Sequence, residues 1–183
     1  ITAKAMRGEI EFEPALRERV ALLEGLNANI TQQVINNRIV LRSGGRALVH
    51  TMKENGAFTA LVSGGFTTFT AKIASMIGFD VNRANTLLEE DGKLTGKVAE
   101  PILGQQAKVD ALNEFVAARG INLNETLAVG DGANDLGMIK IAGSGVALHA
   151  KPTVAAQAGM IIDFGDLTAL LFIQGYKAEH FAN

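Results

Sequence analysis

Two short polar segments that are rich in glycine each follow a mostly apolar stretch of the chain. The first, Ser63-Gly64-Gly65, comes after Phe58–Val62. A serine hydroxyl and main-chain N–H groups that glycine leaves accessible can bind an anion, and a helix that begins behind them adds its positive end. A tight turn between a strand and a helix needs the same small residues. The segment therefore indicates an anion site but does not require one.

The second segment, Gly130–Asp135, places two carboxylates and a carboxamide close together in the chain, at Asp131, Asn134 and Asp135. Hard oxygen ligands suit Mg²⁺, which keeps several waters and binds one or two carboxylates. The alternative is an Asp-Gly turn in which Asn134 or Asp135 caps the next helix. That alternative does not explain an aspartate directly after an apolar strand, so the segment predicts a Mg²⁺ site.

Three cations stand at positions where an anion could be bound. Lys108 lies near the start of a predicted helix, where a positive charge opposes the helix dipole. It is either a solvated surface lysine or an ammonium group that neutralises a phosphate. Arg17 and Arg19 lie about 200° apart on a helix, so only one of them can face a given cleft. Each could hold a carboxylate or form a surface ion pair.

The elements that must position these residues change in type near residue 40. Residues 1–39 show apolar residues at helical spacing and no strand pattern. After them, strands alternate with helices, which predicts a parallel sheet with helices on both faces and ligands at the carboxyl ends of its strands. The predicted strands are 58–62, 86–88, 94–98, 126–129, 145–148 and 160–162, and the predicted helices are 67–77 and 105–119 with others beginning near 134, 152 and 167.

The composition restricts the class of protein. The chain has 183 residues, a formal net charge of −2 and no cysteine. This argues against a nucleic-acid partner, a disulfide framework and a thiolate metal site. No apolar run approaches the roughly 20 residues that span a bilayer, and the first residues do not form a signal peptide. We expect a cytoplasmic protein with no nucleic-acid or membrane partner.

Taken together, the polar segments and Lys108 resemble the haloacid dehalogenase superfamily. Val62–Phe66 is similar to the second motif of that superfamily, Lys108 to the third and Gly130–Asp135 to the fourth, in matching order and separation. The stretches 8–12, 16–20 and 91–96 resemble the subgroup that hydrolyses O-phospho-L-serine. The resemblance implies an α/β fold with a Rossmann-like parallel sheet, in which residues 1–39 are the remnant of a small helical cap and residues 40–183 form the core.

The resemblance also implies a role for each candidate residue. Ser63 and the Gly64 amide would bind the phosphoryl oxygens, and Lys108 would neutralise the phosphate and the aspartyl-phosphate. Asp131 would ligate Mg²⁺, with Asp135 in support.

On the substrate side, the resemblance implies that Asn134 contacts the phosphate end of the substrate. Arg19 would hold the serine carboxylate, while Phe12 and Met6 would line the closed pocket. The implied partner is a small molecule, phosphoserine, with a homodimer as a further possibility.

One motif of the superfamily, Asp-x-Asp-x-Thr, occurs nowhere in this sequence. Its first aspartate attacks phosphorus and its second acts as acid and base. Asp80 and Asp110 are the free candidates to replace it, but neither is predicted to end a strand. We therefore expect that the nucleophile and the first strand of the sheet lie upstream and that this chain alone is inactive.

The resemblance implies Mg²⁺-dependent hydrolysis of O-phospho-L-serine to L-serine and phosphate, the last step of serine biosynthesis. Two alternatives stay open. One is a related small-molecule phosphatase or phosphotransferase on the same scaffold. The other is a non-catalytic fragment that only binds phosphate.

Overall fold

The computed structural model describes residues 11–182. They group into two compact units: the first contains the described residues up to Leu41 together with Gly56–Gly104, and the second contains Arg42–Asn55 together with the described residues from Gln105 onward. The division predicted from the sequence, a cap at 1–39 and a core at 40–183, stays a prediction. Between residues 11 and 182, no helix combines the length and the apolar character needed to cross a membrane.

Helices and strands alternate along most of the described chain, and the predicted α/β class is confirmed. The helices are α1 (Phe12–Ala21), α2 (Ile30–Arg38), α3 (Gly45–Glu54), α4 (Thr67–Ile77), α5 (Gln105–Arg119), α6 (Leu136–Ile141), α7 (Pro152–Ala155) and α8 (Ala169–Ile173). The strands are β1 (Ala60–Phe66), β2 (Val81–Asn85), β3 (Leu87–Glu90), β4 (Lys93–Val98), β5 (Leu127–Gly130), β6 (Ser144–Leu148) and β7 (Met160–Ile162). Short 3₁₀ turns lie at Leu123–Glu125, Ala133–Asp135 and Ala178–His180.

In the first unit, the helical prediction for the residues before 40 is confirmed by α1 and α2. Leu16 and Val20 of α1 lie four residues apart and therefore on one face of the helix. That face is buried against Val98 and Ile102. Burial of such aliphatic side chains is worth about 1.5–3 kcal/mol each, so packing rather than helix propensity stabilises this ten-residue helix.

The parallel pair β1–β2 differs from the prediction. Ala60–Val62 pair with Val81–Arg83, and Phe66 pairs with Asn85, so the register shifts across Ser63–Gly65. The predicted strand end at Val62 is wrong, because the polar segment stays in extended conformation as a bulged part of β1. β2 was not predicted, since its polar residues hide the apolar alternation expected of a strand.

The hairpin of β3 and β4 confirms the prediction from Asp91-Gly92. Both residues have positive φ, 50° at Asp91 and 74° at Gly92, as the tight hairpin turn requires. Glu90 pairs with Lys93 and Leu87 with Val98. β3 starts one residue after the predicted 86 and ends two residues after the predicted 88, and β4 starts one residue before the predicted 94.

The second unit contains the parallel sheet β5-β6-β7. Its central strand β6 is covered on both faces, since Val146 and Ala147 point to opposite sides and are both 0% exposed. The predicted strands at 126–129, 145–148 and 160–162 and the helix 105–119 are confirmed to within a residue or two. The α3 helix was not predicted, and the last helix begins at Ala169 rather than Leu167.

Candidate functional site

The loop after β5 brings an aspartate to the carboxyl end of the sheet in the second unit. Gly130 ends the strand and Asp131 follows it directly. No side chain fits at Gly130, because a Cβ there would lie 2.3 Å from the Cβ of Asp135. Glycine is therefore required at position 130, because it leaves room for the loop to fold back on itself. Asp131 then carries the first side chain beyond the strand.

Asp135 holds that loop in place. Its side chain is buried, with the residue only 4% exposed. Its Oδ2 accepts hydrogen bonds from the main-chain N–H groups of Asp131 at 3.1 Å and Gly132 at 3.0 Å. The two amides at the carboxyl end of β5 thus have a charged acceptor, which gives stronger hydrogen bonds than a neutral one.

Lys108 of α5 is the partner of Asp135 on the other side of the carboxylate. Its Nζ lies 2.5 Å from Asp135 Oδ1, and the residue is 8% exposed. A buried ammonium group is stable only with a partner, and Asp135 provides one. The interpretation of Lys108 as a solvated surface lysine is wrong, because the residue is buried and its ammonium group contacts Asp135.

Asp131 and Asn134 face outward from the same loop. Asp131 is exposed, and among residues 11–182 no side chain pairs with its carboxylate. Asn134 lies over the loop, since a Cβ at Gly132 would be 2.4 Å from Asn134 Oδ1. The loop therefore has one buried carboxylate, Asp135, whose oxygens already accept hydrogen bonds. It also has one exposed carboxylate, Asp131, which has no side-chain partner among the described residues.

This donor set fits a hard divalent cation. Mg²⁺ takes one or two carboxylates and completes its shell with water and substrate oxygens, and Asp131 offers such a carboxylate at a strand end. Asp135 already accepts three N–H groups, from Lys108, Asp131 and Gly132. In the part of the chain that the structure describes, no group of three His, Cys, Asp or Glu could hold a metal ion. Protein ligands from these residues would thus come from Asp131, with Asp135 supporting the loop.

The first polar segment lies in the first unit. Ser63 Oγ accepts a hydrogen bond from the Gly65 amide at 3.0 Å, so the hydroxyl proton of Ser63 is left to donate. The Gly64 carbonyl accepts a hydrogen bond from Asn85 Nδ2 at 3.1 Å. The strand pairing with β2 omits Ser63–Gly65, which keeps this segment out of the regular ladder.

Asn85, which contacts this segment, was not identified from the sequence. It ends β2, is 2% exposed and also exchanges hydrogen bonds with the main chain of Leu103. A buried amide is costly unless it is hydrogen-bonded, and main-chain atoms satisfy this one. The sequence did not distinguish Asn85 from the nearby Asn82, because β2 was not predicted.

On α1, the two candidate arginines have different surroundings. Arg17 forms an ion pair with Glu100 at 2.6 Å. The hydrogen bond that the Arg17 guanidinium donates to Glu100 raises the pKa of Arg17, and the same contact lowers the pKa of Glu100. Arg19 is exposed, and no acidic side chain pairs with it among the described residues. That only one of the two side chains faces a given cleft stays a prediction.

The remaining candidates are distributed as follows. Phe12 is 37% exposed at the start of α1 and approaches Gly104, where a Cβ would lie 3.4 Å from its ring. Met6 lies outside the described residues. The Asp80 carboxylate accepts hydrogen bonds from the Thr59 amide and hydroxyl, both at 2.8 Å, and Asp110 accepts one from a glutamine on its own helix. Neither aspartate ends a strand, in agreement with the expectation that they do not replace the nucleophile.

The structure therefore assembles the candidates in two groups. The second unit brings together Lys108, Asp131, Asn134 and Asp135 within one loop and one helix. The first unit holds Ser63 and Gly64, together with Arg19 and Phe12 on α1. Each group has the chemistry that binds an oxyanion, by hydroxyl, amide or cation.

Comparison with known proteins identifies the family of the chain. The profile of the haloacid dehalogenase-like hydrolase family matches residues 2–140. The chain belongs to the haloacid dehalogenase-like hydrolase family. Within it, the chain is similar to phosphoserine phosphatases, as the sequence motifs predicted. It is 43% identical over 179 residues to the phosphoserine phosphatase of Streptomyces coelicolor, covering 98% of this chain and 43% of that protein.

Further similarities point the same way. The chain is 44% identical to the phosphoserine phosphatase of Haemophilus influenzae, covering 93% of this chain and 54% of that protein. It superposes with a TM-score of 0.87 on a substrate-bound phosphoserine phosphatase complex at 40% identity, covering 94% of this chain and 81% of that one. The chain thus spans about half the length of the two curated relatives.

Proposed function

We propose that the full-length protein hydrolyses O-phospho-L-serine to L-serine and phosphate with Mg²⁺ as cofactor. The observation that supports this most directly is the pair of aspartates on the β5 loop. Asp135 is buried and accepts hydrogen bonds from Lys108 and two main-chain amides, whereas Asp131 is exposed at the strand end. Relatives of similar sequence are named phosphoserine phosphatases.

In this proposal, Lys108 and Ser63 bind the phosphoryl group. Transfer of a phosphoryl group depends mainly on positioning and on charge stabilisation. An ammonium has three N–H donors, and Asp135 takes one, so Lys108 keeps two for phosphoryl oxygens. Ser63 keeps its hydroxyl proton, because its oxygen accepts from Gly65. The Gly64 amide and Asn134 are proposed as further donors to phosphoryl oxygens.

Asp131 is the residue that we propose to hold Mg²⁺, with Asp135 supporting it through the loop. When bound, the cation would offset the negative charge of the phosphoryl oxygens. The protein's own part is to present one carboxylate at a fixed place: Asp135 pins the amides of Asp131 and Gly132, and that fixes the direction in which Asp131 leaves the strand.

Arg19 is the residue that we propose to select the substrate. A guanidinium can bind a carboxylate with two parallel hydrogen bonds, and Arg19 is exposed while Arg17 is engaged with Glu100. Phe12 and Met6 would complete the pocket. Because free L-serine is the product, we also propose that the reaction is the last step of serine biosynthesis and takes place in the cytoplasm. We keep residues 1–39 as cap and residues 40–183 as core in this proposal.

The test is phosphate release by the full-length protein from O-phospho-L-serine and from O-phosphoethanolamine, which lacks the carboxylate. We expect release that requires Mg²⁺, stops with a chelator and favours phosphoserine. Equal rates on both esters would remove the reason for naming serine as the product. Small alcohols added as acceptors separate hydrolysis from phosphotransfer, since a transferase would form new phosphate esters. Phosphate binding without turnover would instead favour a non-catalytic protein.

A further inference from the structure

Asn85 makes an unusual set of contacts for a strand residue. Its Nδ2 donates to the Gly64 carbonyl at 3.1 Å and to the Leu103 carbonyl at 3.3 Å, and its Oδ1 accepts from the Leu103 amide at 2.7 Å. Both ends of the side-chain amide are thus satisfied by main-chain atoms. With 2% exposure, water cannot replace these partners.

The contact with Gly64 acts on one particular peptide plane. The Gly64 carbonyl and the Gly65 amide belong to the same planar peptide unit. Asn85 holds the carbonyl end of that plane, and Ser63 Oγ accepts from its N–H end at 3.0 Å. The orientation of the plane therefore decides whether the Ser63 oxygen has a donor from the main chain.

Without the hydrogen bond from Asn85, this peptide plane would rotate easily. It lies between two glycines, which restrict the backbone least, and the strand pairing with β2 leaves out Ser63–Gly65. If the plane turned, the Gly65 N–H would leave the Ser63 oxygen. The hydroxyl would then lose the contact that keeps its proton directed away from Gly65.

We infer that Asn85 is a positioning residue for phosphate binding: by fixing the Gly64–Gly65 peptide, it orients the Ser63 hydroxyl as a donor to the phosphoryl group. This inference rests on the proposed function for its consequence in catalysis. The geometry itself does not depend on the proposed function, and it can be measured in the protein without substrate.

The first experiment is a double-mutant cycle in the full-length protein with Asn85→Leu, Ser63→Ala and the pair. Asn85→Leu keeps the approximate volume and removes the contacts with Gly64. We expect kcat/KM for phosphoserine to fall about 10- to 100-fold, as small misplacements of binding groups do. In the Ser63→Ala background the further loss should be about twofold or less, because the group that Asn85 positions is already absent. Equal losses in both backgrounds would overturn the inference.

The matched control is Asn82→Leu, on the same strand. Asn82 accepts a hydrogen bond from the Thr70 hydroxyl at 2.9 Å and does not contact the Ser63–Gly65 segment among the hydrogen bonds of the described residues. We expect its kcat/KM to stay within about twofold of the wild type, as for an ordinary substitution away from a site. A loss as large as that of Asn85→Leu would show a general effect of altering β2, against the inference.

The second experiment needs no activity and covers the case in which Asn85→Leu does not fold. Asn85→Ser is milder and too short to bridge Gly64 and Leu103. We expect hydrogen exchange at the Gly65 amide to rise about tenfold relative to wild type and to Asn82→Ser, since one hydrogen bond is lost. An unchanged Gly65 exchange rate would refute the positioning role. If the wild-type protein fails to hydrolyse phosphoserine while exchange at the Gly65 amide rises as expected in Asn85→Ser, the proposed function is refuted. The positioning of the Gly64–Gly65 peptide by Asn85 is then still supported.

Discussion

Removal of the Asp135 carboxylate should be the most damaging single change on the β5 loop. Asp135→Ala leaves three N–H groups without their acceptor: Lys108 Nζ and the amides of Asp131 and Gly132. Breaking a buried pair by removing one partner costs about 3–5 kcal/mol, because the remaining charge stays buried. The loop amides can reach water more easily, so they add little to that range. A typical domain has only about 5–15 kcal/mol of stability.

The free energy of unfolding from urea titration measures this cost directly. We expect the midpoint to fall with little change in the slope, as a loss of stability without a change in compactness. Asp131→Ala is the control on the same loop: its carboxylate is exposed and unpaired among the described side chains, so the change should stay within about 0.5 kcal/mol.

The Lys108→Met variant separates two costs of Asp135→Ala: the buried charge left without a partner and the lost contacts with the loop amides. In the Lys108→Met background, Asp135→Ala no longer leaves a buried ammonium group unpaired. We therefore expect the pair of substitutions to cost less than the sum of the single ones by about 1–3 kcal/mol. Additive costs, or equal losses for Asp131→Ala and Asp135→Ala, would refute the assignment of Asp135 as the residue that holds both the loop and the lysine.

Three further predictions concern metal, substrate and pH. Asp131→Asn should abolish Mg²⁺-dependent phosphate release and leave the urea midpoint unchanged; retained turnover would contradict the metal assignment. Arg19→Ala should raise KM for phosphoserine far more than for phosphoethanolamine, whereas Arg17→Ala should affect both alike; a uniform effect of Arg19→Ala would remove it from carboxylate binding. The pKa of Asp166 is lowered chiefly by the Ser43 hydroxyl, so its contribution to stability is present above the ordinary pKa of about 4 and is lost as the pH falls through the lower native value. Asp166→Asn should therefore destabilise the protein at neutral pH, and the difference from wild type in urea titrations should shrink in acid; a difference independent of pH would contradict this.

Local patterns in the sequence predicted the elements with a clear local signal. The strands of the second unit are short apolar runs, and the Asp91-Gly92 turn has a specific backbone requirement. β2 failed because its asparagines and arginine interrupt the alternation. Its partner β1 was cut short because Ser63–Gly65 suggested a turn, whereas those residues stay extended as a bulged part of the strand.

Contacts between distant residues could not be predicted from local patterns. Lys108 and Asp135 are separated by 27 positions, and nothing in either neighbourhood shows that they share a buried hydrogen bond. The same holds for Arg17, whose partner Glu100 lies beyond the hairpin. Such pairs depend on the tertiary fold, which brings together residues that are distant in the sequence.

Asp131 and Asp135 show how the fold gives different tasks to two residues of one type. In the sequence they are equivalent carboxylates four positions apart. In the structure, Gly130 leaves room for Asp135 to turn back beneath the strand end, where its oxygens accept from two amides and Lys108. Its occupation is what keeps Asp131 extended toward solvent. A second outward carboxylate would add repulsion to an anionic substrate, whereas an inward one orients the ammonium that we propose to bind it. The asymmetry of the two aspartates is therefore the feature on which the proposed phosphate chemistry of this loop rests.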